Sequence, residues 1–107
     1  MEHTKYAYRV IWSEEDSEFV GLCAEFPSLS SLAKGRKDAF EGIISLVDEV
    51  VQEMAANGES LPEPISAKAY SGKFQVRIPP ELHKQLALKA AEEGLSLNRY
   101  ASYKLAS

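Results

Sequence analysis

The sequence predicts an α+β protein of two modules: a small antiparallel sheet backed by one long helix, then a short strand followed by two helices. Three observations carry that prediction. Apolar and polar residues alternate in short runs near the N-terminus and again after Gly72, which is the period of a strand. Between these runs, a segment of about twenty residues repeats its apolar positions at intervals of three and four, the period of a helix. Charge also divides along the chain. Residues 1–65 hold five basic and 13 acidic side chains, a net of −8, whereas residues 66–107 hold seven basic and three acidic ones, a net of +4.

Residues 5–13, KYAYRVIWS, alternate and are rich in Tyr, Val, Ile and Trp, so they predict the first strand. EEDSE at 14–18 makes a charged turn, and FVGLCAEF at 19–26 predicts a second strand paired with the first as a hairpin. After Pro27, SLSSLA at 28–33 predicts a short third strand. From Arg36 to Asn57, the residues Phe40, Ile43, Ile44, Val47, Val50, Val51 and Met54 form one stripe on a helix of about six turns. Asp48, Glu49, Gln52 and Glu53 fall on its other side. Gly42 inside this helix costs about 1 kcal/mol relative to Ala and suggests close packing on the sheet. Asn57-Gly58 is a helix stop. The segment ESLPEPISAKAYS at 59–71 has two prolines and no period, so it is read as a connector in which Ile65 to Tyr70 admit a short edge strand. The expected organisation is a first module over 1–65, a linker over 66–72 and a second module over 73–107.

In the second module, GKFQVRIPP alternates strictly from Lys73 to Ile78. Pro80 suits the first position of a helix and Glu81 its first turn. Leu82, Leu86 and Ala90 continue that helix at spacings of four, and Gly94 ends it. Ser96 is the expected N-cap of a last helix over 97–106, with Leu97, Tyr100, Ala101 and Leu105 on its apolar face.

A single strand in this module leaves its hydrogen-bonding groups without a ladder. Pairing with the same strand of a second chain supplies one. Phe74, Val76, Ile78, Leu82, Leu86, Leu97 and Tyr100 then form a shared dimer core, and Lys73, Gln75 and Arg77 point from the opposite face. A two-stranded ribbon of this kind fits the major groove of double-stranded DNA. Arg and Lys match the acceptors of guanine, and Gln matches the donor–acceptor pair of adenine. Ser96, Leu97 and Asn98, at the start of the last helix, are placed to receive a backbone phosphate.

No catalytic constellation accompanies these features. His3 and His83 stand far apart, outside any metal-ligand spacing, and no glycine-rich phosphate loop occurs. Cys23, the only cysteine, sits among Val20, Leu22 and Phe26 and is expected in the core rather than as a nucleophile. EEDSE reads as a solvated turn rather than a metal site. A non-enzymatic protein without metal or cofactor is expected. No apolar run reaches membrane-spanning length and MEHTKYAYRV does not look like a signal peptide, so a cytoplasmic protein with no membrane partner is expected.

The tail from Gly72 to Ala106 resembles the ribbon-helix-helix DNA-binding fold of the Arc/MetJ-like repressors, through its alternating strand, the proline at the strand end, the helix spacing and GLSLN at the turn. The resemblance implies base contacts from Lys73, Gln75 and Arg77 and phosphate contacts from Ser96 to Asn98. The front, through YRVIWSEEDSEFVGLCAEFPSL, AFEGIISLVDEVV and GESLPEP, resembles HicB-family antitoxins. Those pair a degenerate ribonuclease-H-like module with a C-terminal DNA-binding domain. The resemblance implies an antitoxin of a type II toxin–antitoxin system, binding a HicA-type, mRNA-cleaving toxin through its front and repressing its own promoter through its tail as a homodimer or a pair of dimers. A stand-alone transcriptional regulator without a toxin is the alternative. At the start of the long helix, relatives commonly carry Thr-Pro. This chain has Gly35-Arg36, which implies a weaker cap.

Overall fold

The structure, a computed structural model, describes residues 5–107; His3 lies outside them. The chain divides into two compact units, Met1–Tyr70 and Ser71–Ser107.

The first unit contains β1 (Tyr8–Ser13), β2 (Glu18–Cys23), β3 (Ser30–Ala33) and α1 (Arg36–Ala56). The strands pair antiparallel in the order β1-β2-β3. In the register, Val10 faces Gly21 and Gly21 faces Ser31, while Ile11 faces Val20 and Val20 faces Leu32. Side chains alternate across a sheet, so Tyr8, Val10, Trp12, Phe19, Gly21, Cys23 and Ser31 share one face. Helix α1 lies on that face. Its fully buried row is Ala39, Ile43, Val47 and Val51, spaced by four as the sequence pattern requires.

Two glycines set the distance between helix and sheet. A Cβ on Gly21 would collide with the carbonyl oxygen of Ala39 and come within 2.8 Å of Ile43. A Cβ on Gly42 would strike the Ser31 hydroxyl, which gives the helical glycine its packing reason. The core comprises Tyr6, Cys23, Phe26, Ile43, Val47 and Val51, with Tyr8, Leu29, Leu46, Val50 and Met54 packed against it. The opposite sheet face carries Arg9, Ile11, Val20, Leu22 and Leu32, of which Arg9, Ile11 and Leu32 are exposed.

The strands are shorter than the alternation predicts. Tyr6 lies before β1 and donates its hydroxyl to the Pro62 carbonyl at 2.8 Å, and its ring meets Phe26 edge-on. The Ala7 N–H donates to the Glu25 carboxylate at 2.9 Å. After Cys23 the chain turns, with the Phe26 N–H bonded to the Cys23 carbonyl. The edge strand admitted over Ile65 to Tyr70 does not form. The Ile65 N–H donates to Glu25, and the N–H groups of Ala67 and Lys68 both close a turn on the Pro64 carbonyl, so the chain turns there instead of extending. Residues 66–70, expected in a linker, fall in the first unit, where the Ser66 hydroxyl donates to the Lys5 carbonyl.

Helix α1 starts at Gly35 without a side-chain cap, as its sequence implied. It ends with Gly58 at φ +71°, where the Gly58 and Glu59 N–H groups return to the carbonyls of Ala55 and Met54. That is a Schellman stop.

The second unit contains α2 (Pro80–Glu92) and α3 (Leu97–Ala106). Pro80 occupies the first turn, where its missing N–H costs no bond. Gly94 at φ +70° repeats the stop: Gly94 and Leu95 donate to the carbonyls of Ala91 and Ala90. The Ser96 hydroxyl then accepts from the Arg99 N–H at 3.1 Å and caps α3.

Candidate nucleic-acid interface

Lys73, Gln75 and Arg77 are all exposed, in a segment that begins at Gly72 with φ +85°. The Ser71 hydroxyl accepts from the Lys73 N–H at 3.1 Å and fixes the first step of this segment. In the single chain, Lys73–Pro79 is not a strand, contrary to the sequence expectation. The physical reason is that a strand exists only through its ladder, and none of the described residues supplies one here.

The expected dimer core divides in the single chain. Tyr100 is 5% exposed and Ala90 2%, and they are the only buried hydrophobic residues described in this unit. Leu86 and Leu97 are half-buried. Phe74 remains 73% exposed and Val76 62%, with Ile78 and Leu82 also at the surface. Helices α2 and α3 therefore enclose part of the expected core and leave Phe74 and Val76 largely uncovered, whereas Ile78 is only 36% exposed. Leu105, expected on the apolar face of α3, is exposed, as are Leu88 and Tyr103.

At the start of α3, Ser96 already spends one lone pair on the Arg99 N–H. The N–H groups of Leu97 and Asn98 lie in the open first turn, whose backbone donors point along the axis away from the helix. They carry partial positive charge there. Lys104 sits with its ammonium 5.5 Å from the Tyr100 ring centroid. The unit thus presents a row of Lys, Gln and Arg, and a separate cluster of backbone donors with Asn98 beside it.

In the first unit, Glu25 is a key residue that the sequence reading did not single out. Its carboxylate accepts from the Ala7 and Ile65 N–H groups and from the Cys23 thiol, tying the start of β1 to the connector. Partial burial pushes its pKa up, but the N–H donors of Ile65 and Ala7 outweigh that and hold it below the usual 4.5. Cys23 is buried, and burial raises its thiol pKa, which keeps it protonated and unreactive. Burial likewise pushes Tyr8 up to about 12. Among the described residues, no group of three His, Cys, Asp or Glu is arranged to hold a metal, and no helix is long and apolar enough to cross a membrane.

The HicB family model matches residues 56–105, from the end of α1 through α3, which is somewhat less than half of the chain. Over that stretch the chain is similar to the HicB family. No curated protein and no solved structure matches the chain.

Proposed function

We propose that this chain is a non-enzymatic antitoxin of a type II toxin–antitoxin pair that also represses its own operon. The observation that carries the reading is the segment Lys73–Ile78. Its Phe74 and Val76 side chains are left exposed beside a capped two-helix unit, while its polar side chains alternate with them. Two chains joined through this segment would complete each other's ladder, bury Phe74, Val76 and Ile78, and display Lys73, Gln75 and Arg77 twice on one ribbon. The four α2 and α3 helices would close the core. Ser96, Leu97 and Asn98 would hold the flanking phosphates, and the base edges would be read by the ribbon.

The first unit is assigned to a HicA-type toxin. What supports this is the net charge of −8 over residues 1–65, complementary to the basic surface that an RNA-cleaving protein needs. The exposed Ile11 and Leu32 lie on the sheet face not covered by α1, and the acidic turn Glu14–Glu18 follows β1 directly. The HicB-family match over 56–105 agrees with this class of role.

A triple substitution, Lys73→Ala, Gln75→Ala and Arg77→Ala, tests the DNA half of the reading. Each good base contact is worth about 1–3 kcal/mol, so specific operator binding should vanish from a gel shift while the circular dichroism spectrum stays unchanged. An unaltered affinity would refute the ribbon. Co-purification with a basic, RNA-cleaving partner tests the other half.

A further inference from the structure

The connector that follows α1 belongs to the first unit as far as Tyr70, yet burial does little to hold it there. Its large apolar side chains Leu61, Ile65 and Tyr70 are exposed, and over 59–70 only Pro64 is buried. Polar ties take the place of burial. The Tyr6 hydroxyl donates to the Pro62 carbonyl at 2.8 Å, the Ile65 N–H to the Glu25 carboxylate at 2.8 Å, and the Ser66 hydroxyl to the Lys5 carbonyl at 2.9 Å. The connector also closes on itself. Ala67 and Lys68 donate their N–H groups to the Pro64 carbonyl, and the Tyr70 hydroxyl donates to the Ile65 carbonyl.

Glu25 joins this segment to the sheet with both of its oxygens. Oε1 accepts from the Ala7 N–H at 2.9 Å and from the Cys23 thiol at 3.5 Å, at the base of the β1–β2 hairpin. Oε2 accepts from the Ile65 N–H of the connector. A carboxylate suits this bridge because both oxygens accept. An amide in its place would offer one acceptor and set its NH₂ group against an N–H donor.

We infer that residues 59–70 form a strap that opens as one piece while the sheet and α1 stay folded, with the Glu25 carboxylate as its latch. Stability is uneven across a fold, and segments with little buried apolar surface and exposed hydrogen bonds open first. With the strap closed, the chain is tied down as far as Tyr70; with it open, the free chain begins after the helix stop at Gly58. The latch therefore sets the length of free chain that joins the two units, and the span of such a chain grows with the square root of its length. The strap lies within the first unit and does not rest on the antitoxin reading.

Amide hydrogen exchange of the full chain, followed by NMR at low urea concentrations, tests this. Opening the strap uncovers little surface, so the Ile65 N–H should exchange at a rate that urea leaves nearly unchanged. The N–H groups of the fully buried Ile43 and Val47 in α1 should exchange through global unfolding and speed up with each increment of urea. Glu25→Gln should speed Ile65 exchange about tenfold to 100-fold, as loss of a hydrogen bond to a charged acceptor does. Tyr6→Phe keeps the ring against Phe26 and removes only the bond to Pro62, so it should speed Ile65 exchange about twofold to tenfold; it decides the matter if Glu25→Gln does not fold. Trypsin cleavage after the exposed Lys68 should rise in the same order. Two results overturn the proposal. Ile65 exchange as steep in urea as that of Ile43 would mean that the connector opens only with the whole unit. Ile65 exchange and Lys68 cleavage left unchanged by folded Glu25→Gln would mean that Glu25 is no latch.

Discussion

Phe74→Ala separates pairing from DNA contact. Full burial of a Phe side chain is worth about 1.5–3 kcal/mol. Phe74 is 73% exposed in the single chain, so about three-quarters of that, or about 1–2 kcal/mol, is available on pairing. A two-fold interface uses the residue twice, so its truncation should cost about 2–4 kcal/mol per dimer. At about 1.4 kcal/mol per decade, the dimer Kd should rise about 30-fold to about 1000-fold. Sedimentation velocity across a dilution series reads this directly. Lys73→Ala, one residue away, should leave the dimer Kd unchanged and weaken only the gel shift, because its side chain belongs to the opposite face. The reasoning fails if Phe74→Ala sediments as the unaltered chain does at every concentration. It also fails if Lys73→Ala dissociates the dimer as strongly.

Two further expectations concern the first unit. Gly21→Ala drives a Cβ into the Ala39 carbonyl, which is backbone and cannot rotate away, so it should cost about 1–3 kcal/mol or more; an unchanged melting temperature would show that helix and sheet can separate freely. Glu25→Gln should cost about 1.5–3 kcal/mol at neutral pH, the worth of a hydrogen bond to a charged acceptor. Because the folded pKa of Glu25 is lowered from 4.5, its contribution is present above that value and is lost as pH falls through the folded pKa. Urea midpoints of the two proteins should therefore differ near pH 7 and converge as pH falls through the lowered folded pKa of Glu25; a constant gap would place the effect of Glu25 outside its charge.

The helices were the legible part of this fold. Helix α1 was expected over 36–57 and spans Arg36–Ala56, because its apolar stripe has a helical period and Asn57-Gly58 supplies the αL stop. Pro80, Gly94 and Ser96 bounded α2 and α3 in the same local way. Strand ends were not legible, since their hydrogen bonds depend on distant residues. Tyr6 and Ala7 continue the alternation of β1, yet Tyr6 answers to Pro62 and Ala7 to Glu25. Glu25 stood in an apolar run with no local reason to matter; its partner Ile65 lies 40 positions on. In the second unit the alternation of Lys73, Gln75 and Arg77 was readable from period alone, whereas the exposure of Phe74 and Val76 depends on what the rest of the unit leaves uncovered.

The exposed Phe74 and Val76 bear on how the proposed repressor would work. If Lys73, Gln75 and Arg77 read DNA only when two chains share a ladder, the reading surface does not exist in the monomer. Below the dimer Kd, the concentration of competent protein then varies as the square of the chain concentration, and operator occupancy falls more steeply than chain level does. A substitution on the apolar face would act through this exponent, and one on the polar face through affinity alone. The apparent DNA affinity of Phe74→Ala should consequently recover as protein is added, while that of Arg77→Ala should stay displaced at every concentration. The two opposite faces of one six-residue segment would thus set two independent terms of the same equilibrium.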